Sequence, residues 1–269
     1  MIRKSLLPVL FPPSLAPCTE AAAFLSRTSN LDARHIKAYT YCINTIVAAG
    51  TFAKLDGLYI LATINAATAH LNLVGSSNTL TYTGTPGEAT SFTVDRGLTG
   101  DGSTVFYDTG IIPNAGGGQK FTQNSASIGA YCLNRRTASN NGVLIGAGSG
   151  NYLYIQPLAS AGNANVTLNA GTFPNIPNSE ASGLWGITRN DATNTTVFKN
   201  NSAPLASAAN ASTGLYNFSI YIGSMHGTGD FTTDTVSAAF VGGGLTNTDW
   251  TALSKGINGY HSILGINNY

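Results

Sequence analysis

The chain has 269 residues, enough to bury a sizeable core as one large β domain or two small ones. Only 9% of them are charged, 13 basic against 12 acidic, where an average soluble domain carries about a quarter. A chain so nearly neutral has no field with which to hold nucleic acid or an anionic membrane, and its solubility rests on Asn, Thr, Ser and Gly. Three cysteines, Cys18, Cys42 and Cys132, are odd in number and widely spaced. They suggest neither a disulfide framework nor a zinc site, and buried or free thiols are expected. No stretch reaches the about 18 consecutive apolar residues of a membrane span.

Residues 1–29 read as an extended arm. Arg3 and Lys4 precede LLPVLFPPSLAPC, which has the outline of a leader ending at a lipidated cysteine. Pro8, Pro12, Pro13 and Pro17 break its apolar run, and Pro17 stands where a small residue is required before Cys18. A helix follows between Asn30, read as its N-cap, and Gly50, with Ile36, Tyr39, Ile43, Ile46 and Val47 forming one apolar stripe. Such a helix needs a surface, either the rest of the chain or copies of itself.

From Leu55 the period changes from helical to two. Strands are expected at 57–63, 105–109, 126–133, 142–145, 152–156, 166–169, 184–189, 195–199, 218–223 and 235–241, with weaker candidates at 70–74 and 80–83. In 152–156 Leu153 and Ile155 should face the core, leaving Tyr152 and Tyr154 outward. In 184–189 Trp185 and Ile187 share a face, in 218–223 Phe218, Ile220 and Ile222 share another, and in 235–241 Val236, Ala238 and Phe240 alternate inward. The strands at 184–189, 195–199 and 218–223 together predict an antiparallel sheet with one wet face. The C-terminal end is helical: Thr246 and Asp249 form a capping box, and Trp250, Leu253, Ile257, Tyr260 and Leu264 form the stripe. Gly256 and Gly259 should weaken this helix by about 1 kcal/mol each. A mainly β sandwich framed by helices follows, with residues 1–50 as arm and helix and 51–269 as the sandwich domain.

The segments FTVDRGLTGDGSTVFYDTG (92–110), SASIGAYC (125–132), GLWGITR with TTVFKNN, FSIYIGSM (218–225) and AAFVGGGLTNTDWTALSKGINGYHSILG (238–265) resemble the concanavalin A-like lectin/glucanase superfamily in its laminin-G-like form. Their order, with the KLDGLYI segment at 54–60, is similar to a variant found in tailed-bacteriophage virion surface proteins. The resemblance spans roughly four fifths of the chain. It implies a concanavalin A-like jelly-roll sandwich of two antiparallel sheets and a role in recognising carbohydrate or a cell surface.

Glycanases of this superfamily carry paired carboxylates on one strand, about 5 to 5.5 Å apart for retaining hydrolysis. Here Glu20, Glu88 and Glu180 are far apart, Asp230 and Asp234 lie in a loop, and no strand holds two acids at alternate positions. His35, His70, His226 and His261 stand in no nucleophile motif and read as scattered surface histidines. No enzymatic activity is expected. No cofactor is expected either, although relatives often bind calcium at the sandwich rim. Asp95, Asp101 and Asp108 are the acidic group that would supply its oxygens. The alternative is that Asp95 pairs with Arg96 or caps a turn and that Asp101 makes the Asp-Gly turn. Sugar binding would use exposed aromatic faces beside amide and guanidinium donors, and Tyr152 and Tyr154 with Asn134, Arg135 and Arg136 are the candidates. Ordinary sheet surface is the competing reading for both tyrosines.

These readings together point to a bacteriophage virion structural protein on the virion surface, as a tail fibre, spike or capsid decoration component. Residues 1–50 would attach it to other virion proteins, a homo-oligomer would form, with a trimer the natural guess, and the sandwich would meet host cell-surface polysaccharide. A secreted carbohydrate-binding lectin module is the alternative, and a polysaccharide-degrading glycanase comes third.

Overall fold

The computed structural model describes residues 16–148, 152–160, 162–171, 176–200 and 203–267. The described residues open with α1 (Thr19–Leu25) and α2 (Ala33–Ala48), then β1 (Leu55–Ile60), the single turn α3 (Ala66–Ala69), β2 (Thr81–Thr83) and the turn α4 (Glu88–Ser91). Short strands β3 (Phe92–Thr93), β4 (Gly97–Thr99) and β5 (Phe106–Asp108) lead to β6 (Ala126–Cys132), β7 (Ile145–Ala147), β8 (Tyr152–Ser160) and β9 (Asn163–Ala170). The chain then forms β10 (Ile176–Pro177), β11 (Gly183–Arg189), β12 (Asn194–Lys199), β13 (Ala206–Ala209), β14 (Tyr221–Ile222), β15 (Thr235–Gly242) and α5 (Asn247–Leu264).

Two antiparallel sheets result. The first runs β13-β12-β11-β6-β15-β4-β3, with β1 also paired to β15, and the second runs β10-β9-β8-β7-β14-β5-β2. Ile128, Ala130, Trp185, Ile187, Ala239 and Val241 of the first sheet meet Tyr107, Ile145, Leu153, Ile155, Leu168 and Ile222 of the second in one buried core. The other face of the first sheet is equally apolar, with Leu58, Ile60, Tyr131, Leu184, Phe198, Ala238 and Phe240. It is covered by Tyr39, Ile43 and Ile46 of α2 and by Trp250, Leu253, Ile257, Tyr260 and Leu264 of α5. The molecule therefore has three layers: sheet, sheet, helices. The β-sandwich and the C-terminal helix match the sequence expectation.

The helix layer corrects the expectation of one wet face. Every residue of β6 and of β11 is buried, because the second sheet takes one side and the helices the other. Gly186 makes the close approach possible, since a Cβ there would lie 2.4 Å from Trp250, whose ring stacks on Phe198 at 4.9 Å. The third strand of that predicted sheet also sits elsewhere: it shrinks to β14 and joins the second sheet, and Phe218 leaves the face of Ile220 and Ile222 to stand 61% exposed. In β15 a bulge between Val236 and Ala238 reverses the phase, so Val236 and Ala239 face the sandwich while Ala238 and Phe240 face the helices.

Helix α2 is capped by Asp32, whose carboxylate accepts from the His35 N–H at 2.8 Å, rather than by Asn30. Ile36 falls outside the buried stripe at 43% exposure. Within the predicted arm, α1 buries Ala21 and Phe24 against α2, and residues 1–15 lie outside the described ones. Residues 70–74 form no strand, because His70 ends α3. Among the described residues, no helix is long and apolar enough to cross a membrane. Cys42 and Cys132 are buried free thiols; burial pushes Cys42 up to about 12 and Cys132 well above its ordinary value.

Candidate functional site

The outer face of the second sheet carries the site. Register places Thr81 beside Asp108, Asp108 beside Tyr221, Tyr221 beside Gly146, and Gly146 beside Tyr154, so these residues form one row across five strands. Directly opposed residues share a face, and the neighbouring row of Ile145, Ile155 and Ile222 points into the core. Gly146, between Tyr221 and Tyr154, gives a floor between two tyrosines two strands apart, about 10 Å at ordinary strand spacing. A Cβ at Gly146 would lie 2.9 Å from the Tyr154 Cβ.

At the Tyr221 end this face deepens into a cleft of about 300 Å³ lined by Gly148, Tyr216, Phe218, Tyr221, His226 and Thr228. Its aromatic wall is held by ring contacts: Phe106 meets Tyr221 edge to face at 5.2 Å, and Tyr216 meets Phe218 at 5.3 Å. Burial, and then the negative charge of Asp108, raises the Tyr221 hydroxyl above its ordinary value, so it stays a protonated donor. The loop after β14 is held by Ser224, which donates to the Gly229 carbonyl at 2.9 Å and accepts from the Gly227 N–H at 3.0 Å. Within it the Thr228 N–H donates to His226 Nδ1 at 3.3 Å. The Thr228 hydroxyl lies 2.8 Å from the same nitrogen. The cleft thus combines aromatic faces with hydroxyl and imidazole donors, the composition of a small-ligand site.

Of the residues singled out in the sequence, Tyr154 lies in the row that runs into this cleft, half-buried on β8. Tyr152 lies on the same strand opposite Ala170. The polar partners proposed for them are engaged elsewhere. Asn134 donates to Asp234 at 3.0 Å and accepts from the Thr235 N–H at 2.7 Å. Arg136 makes two 2.8 Å bonds to the fully buried Asp234, and Arg135 bonds Glu180 at 3.0 and 2.8 Å.

The three aspartates are likewise separate. Asp95 sits at positive φ in the β3–β4 turn and bonds Arg34 and His35, each at 2.8 Å, rather than Arg96. Asp101 accepts from the N–H groups of Ser103, Thr104 and Val105 and from two hydroxyls. Those bonds outweigh partial desolvation and hold its carboxyl well below the ordinary range. Asp108 accepts from the Gly110 N–H at 2.8 Å. Among the described residues, no three His, Cys, Asp or Glu side chains converge as a metal site would require. Two of the histidines read as surface groups are not so placed: His35 and His261 are buried.

Sequence reasoning passed over Tyr216, Phe218 and His226 as site residues. Their signal was an aromatic pair two residues apart ahead of a glycine-rich loop, GSMHGTGD, but a strand assigned through 218 hid it by turning Phe218 inward.

No family model matches the sequence, and no curated protein matches it. Among solved structures the chain is similar to a mutant of Trypanosoma rangeli sialidase displaying trans-sialidase activity, at 13% identity and a TM-score of 0.54, over 87% of this chain and 40% of that one. The shared feature is the β-sandwich. The chain is also similar to domain 4 of AbnA, a GH43 extracellular arabinanase from Geobacillus stearothermophilus solved with arabinotriose, at 14% identity and TM-score 0.45, over 75% of this chain and 98% of that one. A third likeness is to the botulinum neurotoxin serotype D binding domain, at 12% identity and TM-score 0.47, over 79% of this chain and 52% of that one. The first likeness corrects the expectation that the protein is not an enzyme. A sandwich of this shape lies within the chain of a sialidase with trans-sialidase activity, so the architecture does not exclude catalysis. This chain spans about two fifths of that sialidase chain, and the identity carries the fold alone.

Proposed function

We propose that the protein binds carbohydrate in the aromatic cleft and trough on the outer face of its second sheet, and that it does so on the surface of a bacteriophage particle. The single observation that carries the binding reading is the cleft of Tyr216, Phe218 and Tyr221 beside the imidazole of His226. The apolar face of a pyranose stacks on aromatic rings, and its hydroxyls need donors and acceptors at the rim. The exposed Phe218 has no role in the core that would explain its position. The particle reading rests on the uncharged polar composition and on the resemblance of 92–110 and 238–265 to concanavalin A-like domains of tailed-phage surface proteins. Attachment through residues 1–50 and a trimeric assembly belong to the same proposal.

The test is affinity electrophoresis in gels containing bacterial surface polysaccharides. Phe218→Ala should weaken retardation at least about tenfold, a loss of about 1.4 kcal/mol. Arg135→Ala, in the set first suspected, should leave it unchanged. Retention of binding by Phe218→Ala with loss in Arg135→Ala would move the site to the Asn134–Arg136 turn.

A further inference from the structure

The structure assigns this cleft to neutral sugars and against acidic ones such as uronic or sialic acids, an inference that rests on the carbohydrate reading above. Among the described residues its lining contains no lysine, arginine or carboxylate: Gly148, Tyr216, Phe218, Tyr221, His226 and Thr228 form it. A carboxylate bound there would be partly desolvated with no lysine or arginine beside it, which costs more than burying a hydroxyl that finds a hydrogen bond.

The charge adjoining the cleft is negative. Asp108 is the direct cross-strand neighbour of Tyr221 on the same face of the sheet, and it acts on the Tyr221 hydroxyl as a negative charge. The arginines that could have read an acidic sugar are held away by their own partners, Arg136 by Asp234 and Arg135 by Glu180. Arg189 is buried among backbone carbonyls of Leu168 and Asn210. Asp108, read from the sequence as a metal ligand, thus acts here as a filter that disfavours anions beside Tyr221.

The experiment uses the full chain and a matched pair of probes, polygalacturonate and the same polymer with its carboxyls reduced to primary alcohols, within a panel of neutral polysaccharides. Retardation is measured for the wild type, Phe218→Ala and Asp108→Asn. The expected result is binding of neutral members, at least about tenfold weaker binding of the acidic member of the pair, and loss of binding in Phe218→Ala. Asp108→Asn keeps the acceptor for the Gly110 N–H and should narrow the neutral-to-acidic ratio several-fold. Tighter or equal binding of the acidic polymer, still lost in Phe218→Ala, overturns the neutral assignment and leaves the cleft as the site. Binding of no panel member, or binding indifferent to Phe218→Ala, overturns the cleft itself and this inference with it.

Discussion

Arg135 and Arg136 are adjacent in the chain and opposite in environment, and their substitutions should separate accordingly. Asp234 is fully buried, and Arg136 is its bidentate partner, itself 13% exposed. Removing the guanidinium strands a buried carboxylate, so Arg136→Ala should lose about 3 to 5 kcal/mol in urea denaturation. Arg135 is 74% exposed against Glu180, and Arg135→Ala should stay within about 0.5 kcal/mol of wild type. Equal losses for the two would show that the buried pair is not what holds the turn after β6. Nothing in the residue types distinguishes the two arginines; their burial is set by β15, about a hundred positions away in sequence. His261 makes the same point about titration. Its Nδ1 lies 2.9 Å from the Ile257 carbonyl, its Nε2 has no partner, and burial lowers it from 6.5 to about 4. As pH falls from 6.5 to 4 the unfolded chain takes up a proton that the folded chain refuses. Stability present above 6.5 is therefore lost across that window, by about 3 kcal/mol. His261→Leu should remove this slope, so the wild-type-minus-variant difference in urea stability should change by that amount between pH 6.5 and 4. A constant difference would mean the imidazole is not held neutral.

At the scale of elements, α5 was the most legible and still misread in one respect. Its capping box is present in full, with Thr246 accepting from the Asp249 N–H and Asp249 from the Thr246 N–H, and all five stripe residues are buried. A period of 3.6 opened by a recognisable capping box depends on nothing distant, which is why it could be read locally. The glycines of this helix depend on a neighbour that the sequence does not reveal. A Cβ at Gly256 would meet Ile46 at 2.8 Å and the Cys42 carbonyl at 3.0 Å, because α2 crosses there. Gly256→Ala should therefore destabilise by about 1 to 3 kcal/mol, although helix propensity alone would favour it by about 1. A stabilised variant in thermal denaturation would show that the two helices can part without cost. The strands were legible where one face meets the core, as in Leu153 and Ile155 of β8. Where both faces are covered the strands were still found, β11 with Trp185 and Ile187 on the core face, but the second covered face was not, and the phase of β15 was lost because the bulge after Val236 has no local sequence mark.

At the scale of the whole molecule, the sandwich was legible and the third layer was not, because the stripe of α2 was equally suited to copies of itself. The structure gives that stripe to its own chain: Tyr39, Cys42, Ile43 and Ile46 are fully buried against α5 and the outer face of the first sheet. Side chains of this size each contribute about 1.5 to 3 kcal/mol on burial, so together they match most of a domain's net stability of about 5 to 15 kcal/mol. The contribution extends to polar links, since Arg27 donates to the carbonyls of Asn72 and Gly75 at 2.7 Å, and His35 with Arg34 ties α2 to Asp95 on the β3–β4 turn. A chain lacking residues 1–50 should therefore lose its cooperative melt, expose Leu58, Phe240 and Tyr260, and aggregate, rather than survive as a detached sandwich. Circular dichroism and size-exclusion chromatography on the 51–269 chain decide the matter. A cooperative, monomeric melt of the 51–269 chain would mean that the sandwich folds without the helix layer.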